Sequence, residues 1–383
     1  MIPTPTVFPS ARLTRKNGRV LTACGWQKGL RQVRQKGLRC PRLAWRVALL
    51  YSEFMAGEME KFEPHPLLKN GHAMTIASAF VRRRFDLPPA EERLFQVDAD
   101  SRILGRCHWQ PGKRRDAPVI AIVHGLEGSS ESNYVCGIAE KAFRLGFHAV
   151  RVNQRNCGGT ESLTPTLYNS GMSADYKAML EELSKGDGYE QVFFAGYSMG
   201  GNLVTKMAGE FGDAVPKALR GVAVVCPAMD LGACADALER RDNFFYQRHF
   251  VRGLMARYAR KAELFPSRYP KNGFGAVRSV REFDDKITAP QFGYRDAQDY
   301  YDAVGAKQVV AQVRVPMLMI TAQDDPFVPY ELFQRANPGQ NQAIRFVTPE
   351  HGGHCGFISN RAGAERFWAE QRIVEFCDAI RRA

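Results

Sequence analysis

Gly196-Tyr-Ser-Met-Gly200 is the pentapeptide in this chain with the clearest chemical potential. A serine hydroxyl is a poor nucleophile near neutral pH. It needs a base within hydrogen-bond reach and an acid that orients that base. Both residue types occur downstream in the required order. Thr321-Ala-Gln-Asp-Asp-Pro-Phe-Val-Pro329 offers two carboxylates, and Pro349-Glu-His-Gly-Gly-His-Cys-Gly-Phe357 offers two imidazoles. The first stretch resembles the common Gly-x-x-Asp-x-x-Val-Pro ending with Ala322 in place of the Gly, and counting three residues on from Ala322 selects Asp325, with Asp324 as the alternative, whose other role is to cap the helix that follows. His354 lies among glycines, where backbone must pack close to the serine turn, and is chosen over His351. Ser198, Asp325 and His354 are the candidate catalytic residues.

The oxyanion formed by attack on a carbonyl needs two backbone N–H donors. Met199, directly after the serine, supplies one. His124-Gly-Leu-Glu-Gly128, after an apolar strand, supplies the other at Leu126. His124 is read as holding the shape of that loop. Loss of one such donor costs about 3 kcal/mol in the transition state.

The elements around these residues give the pattern its meaning. A Gly-x-Ser-x-Gly arises by chance roughly 0.1 times in a chain of this composition, so the pentapeptide alone is only suggestive. Gln191 to Ala195 is an apolar run of strand length, and Leu203, Val204, Met207, Ala208 and Phe211 recur at helical spacing. A strand, a tight turn and a helix in that order form a nucleophile elbow. Glu92–Val97 and Ile103–Gln110 read as two antiparallel edge strands. Strands follow at 119–124, 147–152, 220–226, 315–321 and 343–347, with helices at 132–145, 173–185, 329–336 and 364–381. This alternation predicts an α/β fold with a mainly parallel sheet and helices on both faces. Residues 230–300, rich in Arg, Phe and Tyr, break the rhythm and read as a helical cap over the carboxyl edge of the sheet.

Composition narrows the function class. The 383 residues carry a formal charge of +13. Eleven Lys/Arg and no Asp/Glu fall in residues 1–52, leaving 42 basic and 40 acidic residues in the remainder. The body is nearly neutral and carries no nucleic-acid motif, so nucleic acid is not an expected partner. The nine scattered cysteines lack any Cys-x-x-Cys. That argues against a disulfide framework and a zinc site, and fits a reducing, cytoplasmic setting. No metal or cofactor is expected, and no run approaches the ~18 apolar residues of a membrane span. The basic leader, 1–54, has three readings: an arm that contacts a membrane surface peripherally, a transit peptide, or a translated upstream extension with the working start at Met55 or Met59. The third is favoured, because the charge bias ends abruptly beside an internal Met. Residues 55–383 form the catalytic domain.

From about Glu63 to its end the chain resembles the YheT-like branch of the α/β-hydrolase superfamily. The resemblance rests on Asn70-Gly-His-Ala-Met-Thr75, His124-Gly-Leu-Glu-Gly-Ser-Ser130, Asn153-Gln-Arg-Asn-Cys-Gly-Gly159, Leu167-Tyr-Asn-Ser-Gly171, Phe245-Tyr-Gln-Arg248, Arg281-Glu-Phe-Asp-Asp-Lys-Ile-Thr-Ala289 and the tyrosines at 294, 300 and 301. It implies an α/β-hydrolase fold and hydrolysis of a carboxylic ester through an acyl-enzyme on Ser198. His354 would take the serine proton and pass one to the leaving alcohol, with Asp325 orienting it. Asn156 stands where the branch usually has Gly. The expected substrate is a short- to medium-chain acyl ester or lipid. Transfer of the acyl group to an alcohol is the alternative, and a non-catalytic binder on the same scaffold is the reading from another class. Oligomeric state is not encoded in any of these features.

Overall fold

The computed structural model describes residues 59–113, 115–271 and 275–383. The basic leader lies outside them. The core is an eight-stranded sheet of β1 (Glu91–Asp98), β2 (Ser101–His108), β3 (Val119–Val123), β4 (His148–Asn153), β5 (Val192–Tyr197), β6 (Leu219–Val225), β7 (Met317–Ile320) and β8 (Ile344–Val347). Its spatial order is β1-β2-β4-β3-β5-β6-β7-β8. β1 and β2 pair antiparallel at one edge, β2 meets β4 antiparallel, and every later pairing is parallel. β3 and β5 are buried along their whole length. They read as continuous apolar runs because helices cover both faces of the sheet.

The helices are α1 (Gly71–Phe80), α2 (Asn133–Arg144), α3 (Ser173–Glu181), α4 (Met199–Phe211), α5 (Leu231–Leu238), α6 (Phe244–Leu264), α7 (Ala297–Val304), α8 (Tyr330–Ala336) and α9 (Trp368–Arg382), with shorter turns between them. Alternate residues of β3 divide the core in two. Val119, Ala121 and Val123 pack with residues of α3, α4 and the 231–304 region, while Ile120 and Ile122 pack with α2 and α9. In α9 the buried Ile373, Val374, Phe376, Cys377 and Ile380 recur at helical spacing, so one stripe faces the sheet. The sequence-expected helix at 364–381 starts later, at Trp368, because a short 3-10 turn precedes it.

Two features position the site. At β3 the chain reverses direction across the sheet: β4 lies on one side and β5 on the other. Loops leaving such neighbours diverge and open a crevice at the carboxyl ends of the strands. The 231–304 region lies in sequence between β6 and β7 and is helical, with α5, α6 and α7 joined by short turns. Its residues form one wall of that crevice.

Candidate active site

Ser198 sits at the turn between β5 and α4 with φ 53° and ψ −118°. That is costly for a residue with a side chain and persists only where the surroundings enforce it. Here the Ser198 N–H donates to Val225 O at 2.9 Å, and Ser198 O accepts from Asn202 N at 3.0 Å and Ala228 N at 3.2 Å. The flanking glycines permit the close approach. A Cβ on Gly196 would lie 2.5 Å from Gly200 O, and one on Gly200 would lie 2.4 Å from His124 O. Any side chain at these positions would push α4 off the loop that follows β3.

The acid and base come from the ends of β7 and β8. His354 Nδ1 bonds Asp325 Oδ2 at 2.8 Å. The other oxygen, Asp325 Oδ1, accepts from the N–H groups of Phe327 at 3.1 Å and Val328 at 2.9 Å. The Asp325 side chain has no solvent exposure, and that of His354 retains 10%. With Nδ1 held by the carboxylate, Nε2 is the free end of the ring. His354 and Ser198 line the same open cavity. Asp324, the neighbouring candidate, turns the other way. Its Oδ1 accepts from Gly353 N at 2.8 Å, and Oδ2 lies 3.3 Å from His351 Nδ1, so it staples the histidine loop to the β7 loop.

The expected oxyanion donors lie beside the serine. Leu126, Met199 and Ser198 line a common cavity. The N–H groups on either side of Leu126 are occupied: Gly125 N donates to Tyr134 Oη at 2.8 Å, and Glu127 N to Tyr168 Oη at 3.4 Å. No partner for Leu126 N is found among the described residues. His124 is fully buried, and burial pushes its pKa down to about 4. Its Nδ1 donates to Gly125 O at 2.8 Å, and its Nε2 accepts from Gln154 N at 3.2 Å. A neutral ring protonated at Nδ1 satisfies both bonds, so His124 shapes the loop.

Several residues in the quoted stretches have supporting roles that the sequence does not reveal. Thr75 on α1 receives the His354 N–H at 2.8 Å and donates its own hydroxyl to Gly71 O at 2.7 Å. Asn70 caps this helix by accepting from Ala73 N at 3.1 Å. A Cβ on Gly71 would fall 1.9 Å from Asp324 O. The Asn70–Thr75 stretch is therefore a brace for the histidine loop. The stretch is among those that carry the family resemblance, but apart from the N-cap asparagine nothing in it announces this role. Glu127 binds Arg257 of α6 through two contacts, at 3.2 and 3.1 Å, and accepts from Tyr168 Oη at 2.6 Å. This buried cluster ties α6 to the loop that follows β3. Asn156 adopts φ 64°, a left-handed conformation in which Asn is the best replacement for Gly. Its amide holds Thr166 O at 2.9 Å, so the departure from the usual Gly leaves the turn intact. Cys226, His354 and Cys355 bring their donor atoms within 4.8 Å of one another. His354 and Cys355 are neighbours on one loop while Cys226 follows β6, so the grouping is invisible to a search for metal-ligand spacing. Burial raises the Cys355 thiol well above its ordinary value. A soft cation bound there would take His354 out of play.

Two cavities meet at Ser198. One, of about 750 Å³ including its open mouth, lies beneath the 231–304 helices and is lined by apolar residues such as Leu231, Leu238, Leu254 and Phe283. At its wall Asp284 accepts from Tyr301 Oη at 2.8 Å, and burial pushes the carboxyl up to about 6. The other, of about 1740 Å³ including its open mouth, runs between α1 and the start of α6.

Comparison with known proteins agrees with this architecture. The family described as alpha/beta hydrolase fold matches residues 118–361. The chain is 32% identical over 320 residues to the Escherichia coli protein named "Putative esterase YheT", covering 82% of this chain and 92% of that one. It is 28% identical over 264 residues to mouse "Phospholipase ABHD3", covering 69% of this chain and 64% of that protein's length. It is 27% identical over 291 residues to the Saccharomyces cerevisiae "Medium-chain fatty acid ethyl ester synthase/esterase 2", covering 68% and 62%. Among the described residues no helix is long and apolar enough to cross a membrane. The strand order, the turn at Ser198 and these matches together place the chain in the α/β-hydrolase family, on its esterase and lipase side.

Proposed function

We propose that the protein is a serine hydrolase of carboxylic esters, acting through an acyl-enzyme on Ser198. The observation that carries this reading is the 2.8 Å bond between His354 Nδ1 and the fully buried Asp325, which fixes the ring with Nε2 free at the cavity that Ser198 lines. In the first half-reaction Ser198 Oγ attacks the ester carbonyl carbon while Nε2 takes its proton. The carbonyl oxygen gains the charge and is met by the N–H groups of Leu126 and Met199. Collapse breaks the bond to the alkoxy oxygen, which receives the proton from His354 and leaves as the alcohol. Water then repeats the sequence on the acyl-enzyme, giving the acid and free Ser198.

The two cavities suggest how the substrate lies. The smaller one, beneath the 231–304 helices, takes the acyl chain, of short to medium length, and the larger one takes the alcohol. If an alcohol enters in place of water, the same acyl-enzyme yields a new ester. The name of the yeast relative carries both activities, so the partition deserves direct measurement.

The test is an ester chain-length series with the wild-type protein and Ser198→Ala, adding ethanol and analysing products. Turnover is expected to fall about 10^4-fold or more in the variant, to the residual rate supplied by oxyanion donors and binding. Unchanged turnover in Ser198→Ala would sink the reading.

A further inference from the structure

The mouth of the open cavity exposes large apolar side chains that the proposed chemistry does not use. On α1, Ile76 is 49% and Phe80 80% exposed, and at the start of α6, Phe244 is 54% and Phe245 80% exposed. Ile76, Phe80 and Phe245 all line the cavity that holds Ser198 and His354. Ile76 and Phe80 are one helical turn apart, so they share a face of α1. The two helices are joined at the mouth, where the His72 and Tyr246 rings stack at 5.8 Å and His72 Nδ1 lies 3.4 Å from Tyr246 Oη. The apolar groups therefore form a rim around one opening rather than scattered single residues, which would need no explanation.

Charge is concentrated on the same two segments. Residues 61–84 and 240–252 carry nine Lys/Arg and two Asp/Glu between them, whereas the whole of 53–383 carries only two more basic than acidic residues. The rest of the body is accordingly net acidic. Arg82, Arg84, Arg248 and Arg252 are exposed, and Arg248 and Arg252 follow Phe245 by three and seven residues on one face of α6. Arg83 is not part of this set, since it is held by Glu370 at 2.5 and 2.9 Å. Of the two acidic residues, Asp242 faces His72 at 4.0 Å and Arg240 at 3.6 Å, and Glu63 bonds Asn360 at 2.9 Å.

We propose that this rim docks on an anionic phospholipid surface, with Phe80 and Phe245 inserted at the headgroup–acyl boundary and the exposed arginines at the level of the phosphates. An exposed aromatic contributes by leaving water for the acyl region, and each arginine by attraction to anionic headgroups. Neither contribution alone holds a protein firmly, but here they are adjacent. Under the ester-hydrolase reading, docking in this orientation turns the cavity mouth toward the bilayer, so that substrate enters without crossing water.

The experiment is vesicle co-sedimentation of the full chain carrying Ser198→Ala, so that binding is read without turnover. Vesicles of phosphatidylcholine alone are compared with a phosphatidylcholine–phosphatidylglycerol mixture, at about 0.15 M salt. Binding is expected to the mixed vesicles, to fall at least about tenfold in Phe80→Ser/Phe245→Ser, and to lose its preference for anionic lipid in Arg248→Glu/Arg252→Glu. Circular dichroism melting checks that each variant is folded. All variants keep the eleven basic residues of 1–52, so undiminished binding by the folded Phe variant would assign the contact to the leader and overturn the proposal. Absence of binding by the parent chain would overturn it too. So would a dimer that the Phe substitutions convert to monomer without any vesicle binding, which would make the rim a contact between copies. Failure here leaves ester turnover untouched, and failure of the esterase reading leaves vesicle binding untouched.

Discussion

Two Asp–His pairs sit side by side at the carboxyl ends of β7 and β8, and they differ mainly in burial. Asp325 and His354 are 2.8 Å apart with side chains 0% and 10% exposed. Asp324 and His351 are 3.3 Å apart with side chains 21% and 33% exposed. The buried carboxylate also receives two backbone N–H groups on the oxygen that His354 does not use, whereas the outer one spends an oxygen on Gly353 N. The same two residue types, the acids one position apart and the imidazoles three, thus sit in different settings. An imidazole held by an immobile, water-free acid is oriented for proton transfer, while the outer pair holds two loops together.

The comparison is broken most easily at the acids. Asp325→Asn is expected to lower kcat on a soluble ester by about 10^3–10^4-fold, since the amide favours the wrong tautomer of His354. Asp324→Ala is expected to cost less than about tenfold in rate but about 1–2 kcal/mol of stability, because Gly353 N loses its acceptor. Steady-state kinetics and denaturant melts on both variants check this, and a larger rate loss at Asp324 would reverse the assignment. Next in size is the brace. Thr75→Val removes the acceptor of the His354 N–H and should lower kcat by about 3–10-fold with KM little changed. A change confined to KM would instead make Thr75 a binding residue.

The smallest effect concerns an imidazole buried without any carboxylate. His124 is pushed down to about 4 by burial, from about 6.5 in an unfolded chain. Between these values the unfolded state binds the extra proton, so the contribution of His124 is complete above pH 6.5 and is lost as pH falls toward 4. His108, also pushed down to about 4 by burial, acts with the same sign. Asp284, pushed up to about 6, acts oppositely: its contribution is complete below the unfolded value and is lost as pH rises through about 6. Melting temperatures at pH 7 and pH 5 should show a fall on acidification that shrinks in His108→Gln and grows in Asp284→Asn.

Much of the architecture was legible because parallel strands and the elbow write themselves locally. Val119–Val123 and Val192–Tyr197 are apolar runs of strand length, and Ser198 stands between such a run and a helical stripe. Counting three residues from Ala322, by the resemblance to Gly-x-x-Asp-x-x-Val-Pro, points to the carboxylate that bonds His354. The supports were not legible. Thr75 meets His354 across 279 residues of chain, and Glu127 meets Arg257 across 130. No periodicity carries that information; only the packing of α1 and α6 against the loops creates it. Asn156 looked like a departure from the expected glycine, yet it adopts the left-handed backbone that glycine favours. The 231–304 helices shape the cavity beneath them through long-range contacts, which is why that shape could not be read from residues 230–300 alone.

The central claim is that Ser198 attacks with His354 as base and Asp325 as its orienting acid. It is tested most directly by reacting the protein with a fluorophosphonate, locating the adduct by peptide mass spectrometry and timing its formation. The account predicts a single adduct on Ser198 that forms at least about 100-fold more slowly in Asp325→Asn and within about threefold of the wild-type rate in Asp324→Asn. An adduct on any other residue, or a slower reaction in Asp324→Asn than in Asp325→Asn, would contradict it.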